Sequence, residues 1–105
     1  MSLPNERDIE TALKKLSETD LSYAQANAFL ASAKESIKVA KMENLPDSGT
    51  AIEREKTAIL SDDYKEALKK YKNAVFQNKY LELQRETWLR TIEVWRSLNA
   101  NMRRS

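Results

Sequence analysis

Two ladders of mostly apolar residues, each with a seven-residue period, constrain the fold of this chain more than any other feature. An apolar residue that recurs every seven positions stays on one side of an α-helix and forms a seam against a second helix. The pattern therefore predicts two long helices that pack on each other. The first ladder consists of Ile9, Leu16, Tyr23, Leu30 and Ile37, and the second of Leu60, Ala67, Ala74, Leu81, Trp88, Trp95 and Met102.

The composition favours helix along almost the whole chain. Only one Gly and two Pro occur in 105 residues, so few residues disfavour the interior of a helix. Charged residues make up 32% of the chain, which is typical of long amphipathic helices. The length suits one domain, so we expect an all-α fold with residues 1–105 forming a single helical domain.

Capping and turn residues predict where the helices begin and end. Asn5 can cap a first helix over about residues 5–44, and the Pro- and Gly-containing stretch 45–50 predicts a turn. Thr50 and Glu53 match a capping box, which predicts a short helix over about residues 51–60. A break near Ser61 would then start a long helix over about residues 62–101. The expected architecture is an antiparallel, coiled-coil-like hairpin of two long helices with a short connecting helix.

The two long helices differ in the width of their apolar faces. Ala26, Ala33 and Ala40 lie beside the first ladder, so we expect the closest helix contact there. The end of the second helix has an apolar face too wide for one neighbouring helix to cover, which predicts a homo-oligomeric helical bundle or a docking surface for another protein. The predicted protein-interface residues are Trp88, Leu89, Ile92, Trp95, Leu98 and Met102.

The absence of Cys and His argues against catalysis. Without these residues the chain has no Ser–His or Cys–His nucleophile and no thiolate or histidine ligand for zinc. Two acidic pairs, Asp62 with Asp63 and Glu82 with Glu86, leave a magnesium-dependent enzyme as an alternative. Acids at a helix start usually cap it, and acids four residues apart usually face solvent. We therefore expect a non-enzymatic protein with no cofactor and no metal.

The lysines offer a different kind of site. Lysines three and four residues apart form stripes on both long helices, and a hairpin would bring the stripes near each other, where they could contact nucleic-acid phosphates. Such stripes also commonly serve solubility, so nucleic acid is the less favoured partner. The candidate nucleic-acid-binding residues are Lys34, Lys38, Lys41, Lys65, Lys69, Lys70 and Lys72.

The start of the sequence and its hydropathy bear on location. The first residues lack the basic and then apolar regions of a signal peptide, and no apolar run approaches the ~20 residues of a membrane span. The expectation is a cytoplasmic protein with no membrane partner.

The closing segment Thr91–Arg103, with the sequence TIEVWRSLNANMR, resembles the ends of small helical proteins encoded by bacteriophages and prophages. The resemblance implies a bacterial host cytoplasm as the setting and a phage accessory factor or an inhibitor of a host protein as the role. The function predicted is therefore a helical protein–protein interaction module with a possible host partner. The alternative is a DNA-binding accessory protein in phage recombination or replication that uses the lysine stripes.

Overall fold

The computed structural model describes residues 3–104, which contain three α-helices and no strand. The helices are α1 (Glu6–Glu43), α2 (Ala51–Ile59) and α3 (Asp62–Arg104). The two long helices, α1 and α3, pack against each other, and α2 lies between them in the chain. The expected all-α architecture with two long helices and a short one is confirmed.

Reciprocal capping boxes start the first two helices. The Asn5 backbone N–H donates to the Asp8 carboxylate, and the Asp8 N–H donates to the Asn5 side-chain oxygen, both at 2.9 Å. Thr50 and Glu53 form the same arrangement at α2, with bonds of 3.2 and 3.3 Å, as their spacing predicts. These side chains satisfy amide groups that have no partner within the first turn of a helix.

A short break separates α2 from α3. The Ser61 hydroxyl donates to the Ala58 carbonyl oxygen at 2.6 Å and accepts from the Tyr64 N–H at 3.2 Å, so this one side chain ends α2 and caps α3. The turn before α2 contains Gly49 with φ 112°, a conformation that side-chain-bearing residues rarely adopt. The single glycine of the chain therefore stands where the backbone requires it.

The described residues form two compact units. Unit 1 comprises the chain up to Ala24 together with the chain from Lys79 onward, and unit 2 comprises Gln25–Asn78. Two contacts in each unit show that α1 and α3 run antiparallel there. In unit 1 Ile9 clusters with Ile92 and Thr19 bonds to Arg85. In unit 2 Asn27 bonds to Asn78 and Asn44 bonds to Asp63.

The cores of the two units use different side chains. The buried residues of unit 1 are Ile9, Ala12 and Ile92, against which larger side chains pack. The buried residues of unit 2 are all alanines, namely Ala33, Ala40, Ala58, Ala67 and Ala74. Burial of Ala33 and Ala40 agrees with the predicted close contact along the alanine edge of α1, whereas Ala26 is half-buried.

The second ladder is shorter than its sequence pattern predicts. Leu60 falls in the break between α2 and α3 and is 59% exposed, so its inclusion in the seam was wrong. Met102, the last member, is 73% exposed. Leu60 stands outside the seam because it lies between α2 and α3 and is not helical.

Heptad notation describes the sides of the helix pair. Ile9 in α1 and Tyr64 in α3 occupy position a, and Ala12 and Ala67 occupy position d. Since successive residues of a helix turn by about 100°, positions e and b lie next to a, and positions g and c lie next to d. We call these the e side and the g side.

Candidate interaction surfaces

The predicted Trp-rich surface belongs to unit 1, where the core supports it. Leu16, Trp88 and Trp95 pack against the buried core of Ile9, Ala12 and Ile92. Both tryptophans remain half-buried, because α1 is the only helix in unit 1 that faces α3. Part of each indole ring therefore contributes to the core and part faces solvent.

A groove opens on the g side of unit 1. It has a volume of ≈ 870 Å³ and a mostly apolar lining. Its apolar lining includes Val94 and Leu3, which are 44% and 68% exposed. Asp8 and Arg90 add one charge of each sign. The lining residues are Leu3, Pro4, Asp8, Thr11, Thr87, Trp88, Arg90, Thr91 and Val94.

The six predicted interface residues do not share one surface. Ile92 is 8% exposed and lies inside unit 1, so it supports the surface from below. Leu98 is half-buried on the g side, whereas Leu89 is 49% exposed on the e side. Trp88 is the one of the six that lines the groove. The heptad ladder identified the apolar residues but did not separate the two sides of the helix.

Arg85 forms a polar layer in the seam of unit 1 that the sequence ladders omit. Its guanidinium donates to the Leu16 carbonyl oxygen and the Thr19 hydroxyl, both at 2.9 Å, and to the Asp20 carboxylate at 2.7 Å. It also lies 5.2 Å from the centre of the Tyr23 ring, within the range of a cation–π contact. Arg85 was missed because only apolar residues were followed, although it occupies position a, seven residues before Ile92.

The e side of unit 1 has a different character from the groove. A smaller depression of ≈ 210 Å³ is lined by Glu6, Ile9, Glu10 and Trp95. An apolar floor with carboxylates at its edge suits the methylene groups and the ammonium group of a lysine side chain. Leu13 is 55% exposed on the same side.

Two of the seven candidate lysines form ion pairs. Lys41 donates from Nζ to the Glu55 carboxylate of α2, and this hydrogen bond raises the pKa of Lys41 above its usual value. Lys38 pairs with Glu35 at 3.4 Å. Glu55 is a partner that the lysine stripes did not reveal, because it comes from the short helix. The remaining five have no ion-pair partner within 4 Å among residues 3–104.

Heptad positions divide the candidate lysines. Lys34 and Lys41 occupy position e, and Lys38, Lys65 and Lys72 occupy position b, so these five share the e side of unit 2. Lys69 lies at position f, away from the helix pair, and Lys70 lies at position g on the opposite side. Five of the seven therefore share one side of the helix pair by their heptad positions.

The acidic pairs make other contacts. Asp62 and Asp63 lie in the first turn of α3, where carboxylates favour the helix dipole, and Asp63 accepts from Asn44 at 3.2 Å. Glu82 pairs with Lys79 at 3.6 Å. Within residues 3–104, no group of three or more acidic residues is arranged to hold a metal ion. No helix of the same residues has an apolar stretch long enough to cross a lipid bilayer.

Comparison of the chain with protein-family models, with curated proteins and with solved structures finds no match.

Proposed function

We propose that this chain is a non-enzymatic helical module that binds another protein through the groove of unit 1 and also associates with itself. The supporting observation is the groove itself, with the half-buried Trp88 in its wall. Tryptophans that are anchored on one face and exposed on the other are frequent energetic centres of protein interfaces. The proposed occupant is an amphipathic helix, because an apolar groove of this kind accepts residues spaced along one helix face.

Asp8 and Arg90 suggest which helix fits. They place a negative and a positive side chain among the lining residues of an otherwise mostly apolar groove. A partner helix with apolar anchors and one charge of each sign next to them would complement this lining. From the resemblance of Thr91–Arg103 to phage-encoded proteins, we propose that the partner is a host protein of the bacterial cytoplasm. The chain would act there as a phage accessory factor or as an inhibitor.

The test is affinity capture from the host with a groove variant and a matched control. Val94→Arg places a charge in the groove without touching the core, and Met42→Arg makes the same type of change at a 72% exposed site in unit 2. We expect one or more host proteins to be retained by the wild type and by Met42→Arg but lost with Val94→Arg. Calorimetry with the purified partner should then give at least tenfold weaker binding for Val94→Arg. Equal retention by all three chains would overturn the proposal.

The second candidate function is DNA binding, which the lysines on the e side of unit 2 favour. Lys34, Lys65 and Lys72 share that side and have no ion-pair partner among the described residues. Titration of labelled single- and double-stranded DNA at two salt concentrations tests it. Binding that weakens steeply with salt and is lost with Lys65→Glu/Lys72→Glu would support DNA binding. Absence of binding at low salt would exclude it.

A further inference from the structure

The e sides of the two units carry opposite charge around similar apolar centres. We use the names acidic face of unit 1 and lysine face of unit 2 for two sets of residues chosen from positions e and b. The acidic face consists of Glu6, Glu10, Leu13, Glu82, Glu86, Leu89 and Glu93. The lysine face consists of Lys34, Lys38, Lys41, Lys65, Leu68, Lys72 and Val75.

The acidic face combines unpaired carboxylates with exposed leucines. Leu13 and Leu89 are 55% and 49% exposed at position e, one on each helix. Most of its acids have no ion-pair partner within 4 Å in the described residues, the exception being Glu82. Acidic residues outnumber basic ones on the whole e side of unit 1, where the basic residues are Lys79, Arg96 and Arg103. The face therefore keeps a net negative charge.

The lysine face has the converse pattern. Leu68 is half-buried and Val75 is 39% exposed at position e of α3. Lysines occupy the neighbouring positions of both α1 and α3, and no acidic residue of either helix stands at position e or b in unit 2. Glu55 of α2 reaches this face and pairs with Lys41, which leaves a net positive charge.

We propose that a second copy of this chain packs its lysine face onto the acidic face of the first. This inference rests on the self-association proposed above and identifies the two surfaces that form the contact between the copies. The exposed leucines would pack on Leu68 and Val75, and the lysines would meet the carboxylates that lack partners. Two antiparallel helix pairs that meet face to face form a four-helix contact, a common packing in helical bundles.

The occupant is a second copy because each chain carries both complementary faces. Apolar residues at the centre and opposite charges around them are the features expected of a specific helix interface. The ammonium group of one lysine would lie between Glu6 and Glu10, with its methylene groups over Ile9 and Trp95. This contact would use the ≈ 210 Å³ depression, which is open among residues 3–104.

Charge reversal and mixing test the proposal. Glu86→Lys/Glu93→Lys removes most of the net negative charge of the acidic face and leaves the lysine face intact, and Lys65→Glu/Lys72→Glu removes most of the net positive charge of the lysine face and leaves the acidic face intact. All four residues are exposed, so the helices should be retained. By sedimentation equilibrium at about 50 mM salt we expect the wild type to associate, and each variant alone to associate at least tenfold more weakly. An equimolar mixture of the two variants should recover association, because the unchanged lysine face of the first variant meets the unchanged acidic face of the second.

Controls separate this proposal from the groove. Val94→Arg should leave the wild-type association unchanged, since it lies on the g side, while abolishing capture of the host protein. Association should weaken at about 1 M salt, because exposed ion pairs are screened. A monomeric wild type, unchanged association of either charge variant, or a mixture that fails to recover association would overturn the proposal. Loss of association with Val94→Arg alone would also overturn it and would assign self-association to the groove.

Discussion

Unit 1 and unit 2 are built from the same two long helices, but different side chains pack between the helices in each unit. Unit 2 fully buries only alanines, whose small side chains allow close helix packing, and the larger residues of its seam are half-buried. Unit 1 buries two isoleucines and supports two tryptophans that one neighbouring helix leaves half-exposed. Side-chain size along a heptad seam therefore decides whether a helix pair is closed or keeps surface available for a partner.

The largest expected effect comes from removing volume in unit 1. Ile92→Ala should lower the free energy of unfolding by about 3 kcal/mol, because it leaves a cavity under both tryptophans. Leu68→Ala, a similar truncation at a half-buried site of unit 2, should cost about 1 kcal/mol. Urea denaturation at one fixed protein concentration measures both, since association makes stability depend on concentration. Equal losses of stability in the two variants would show that unit 1 does not depend more than unit 2 on large side chains.

Adding side-chain volume to the seam should instead lower the stability of unit 2. Ala74 is 2% exposed, so Ala74→Leu should force α1 and α3 apart and cost about 2 kcal/mol. Ala31→Leu, at an exposed site on α1 of the same unit, provides the control and should change stability by less than about 0.5 kcal/mol. Hydrogen exchange should show faster opening of amides in Gln25–Asn78 for Ala74→Leu. Unchanged exchange there would contradict the close alanine packing.

The sequence predicted the type and order of the helices because capping residues, the turn and the heptads all act locally. It did not predict which residues of a ladder would be buried. Leu60 fits the spacing but lies in the break, and Ile92 lies inside the surface it was expected to form. Burial depends on the alignment of α1 against α3, which the spacing within one helix leaves open.

The polar contacts between helices were the least predictable part. Arg85 occupies a seam position that a search for apolar residues passes over, and Glu55 comes from α2 to pair with Lys41. The heptad position of Arg85, seven residues before Ile92, is the signal that would have identified it. The division of the lysines between e, f and g positions could likewise be derived once the seam was known.

The polar contacts in the seams of the two units should differ in their contribution to stability. Arg85→Ala removes hydrogen bonds to three groups on α1 and should lower stability by about 2 kcal/mol, since bonds to a charged group contribute more than neutral ones. Asn78→Ala in unit 2 removes one neutral bond to Asn27 and should cost about 1 kcal/mol or less. Arg85→Lys keeps the charge but not the branched geometry, so it should restore only part of the loss. Full stability of Arg85→Ala would show that the layer is dispensable.

At alkaline pH, the ion pair of Lys41 in unit 2 and that of Arg85 in unit 1 should contribute differently to stability, and this difference should be small. The hydrogen bond to Glu55 raises the pKa of Lys41 above 10.5, so protonated Lys41 is favoured in the folded chain. The resulting stabilisation is fully present below the unfolded pKa and is lost as the pH rises through the folded pKa. The stability difference between the wild type and Lys41→Met should therefore be constant up to about pH 9 and shrink at more alkaline pH, as measured by urea denaturation. Arg85 pairs with Asp20 in unit 1, and the difference in stability between the wild type and Arg85→Ala should persist over the same pH range. If both differences shrank together, alkaline unfolding rather than the Lys41 ion pair would be the cause.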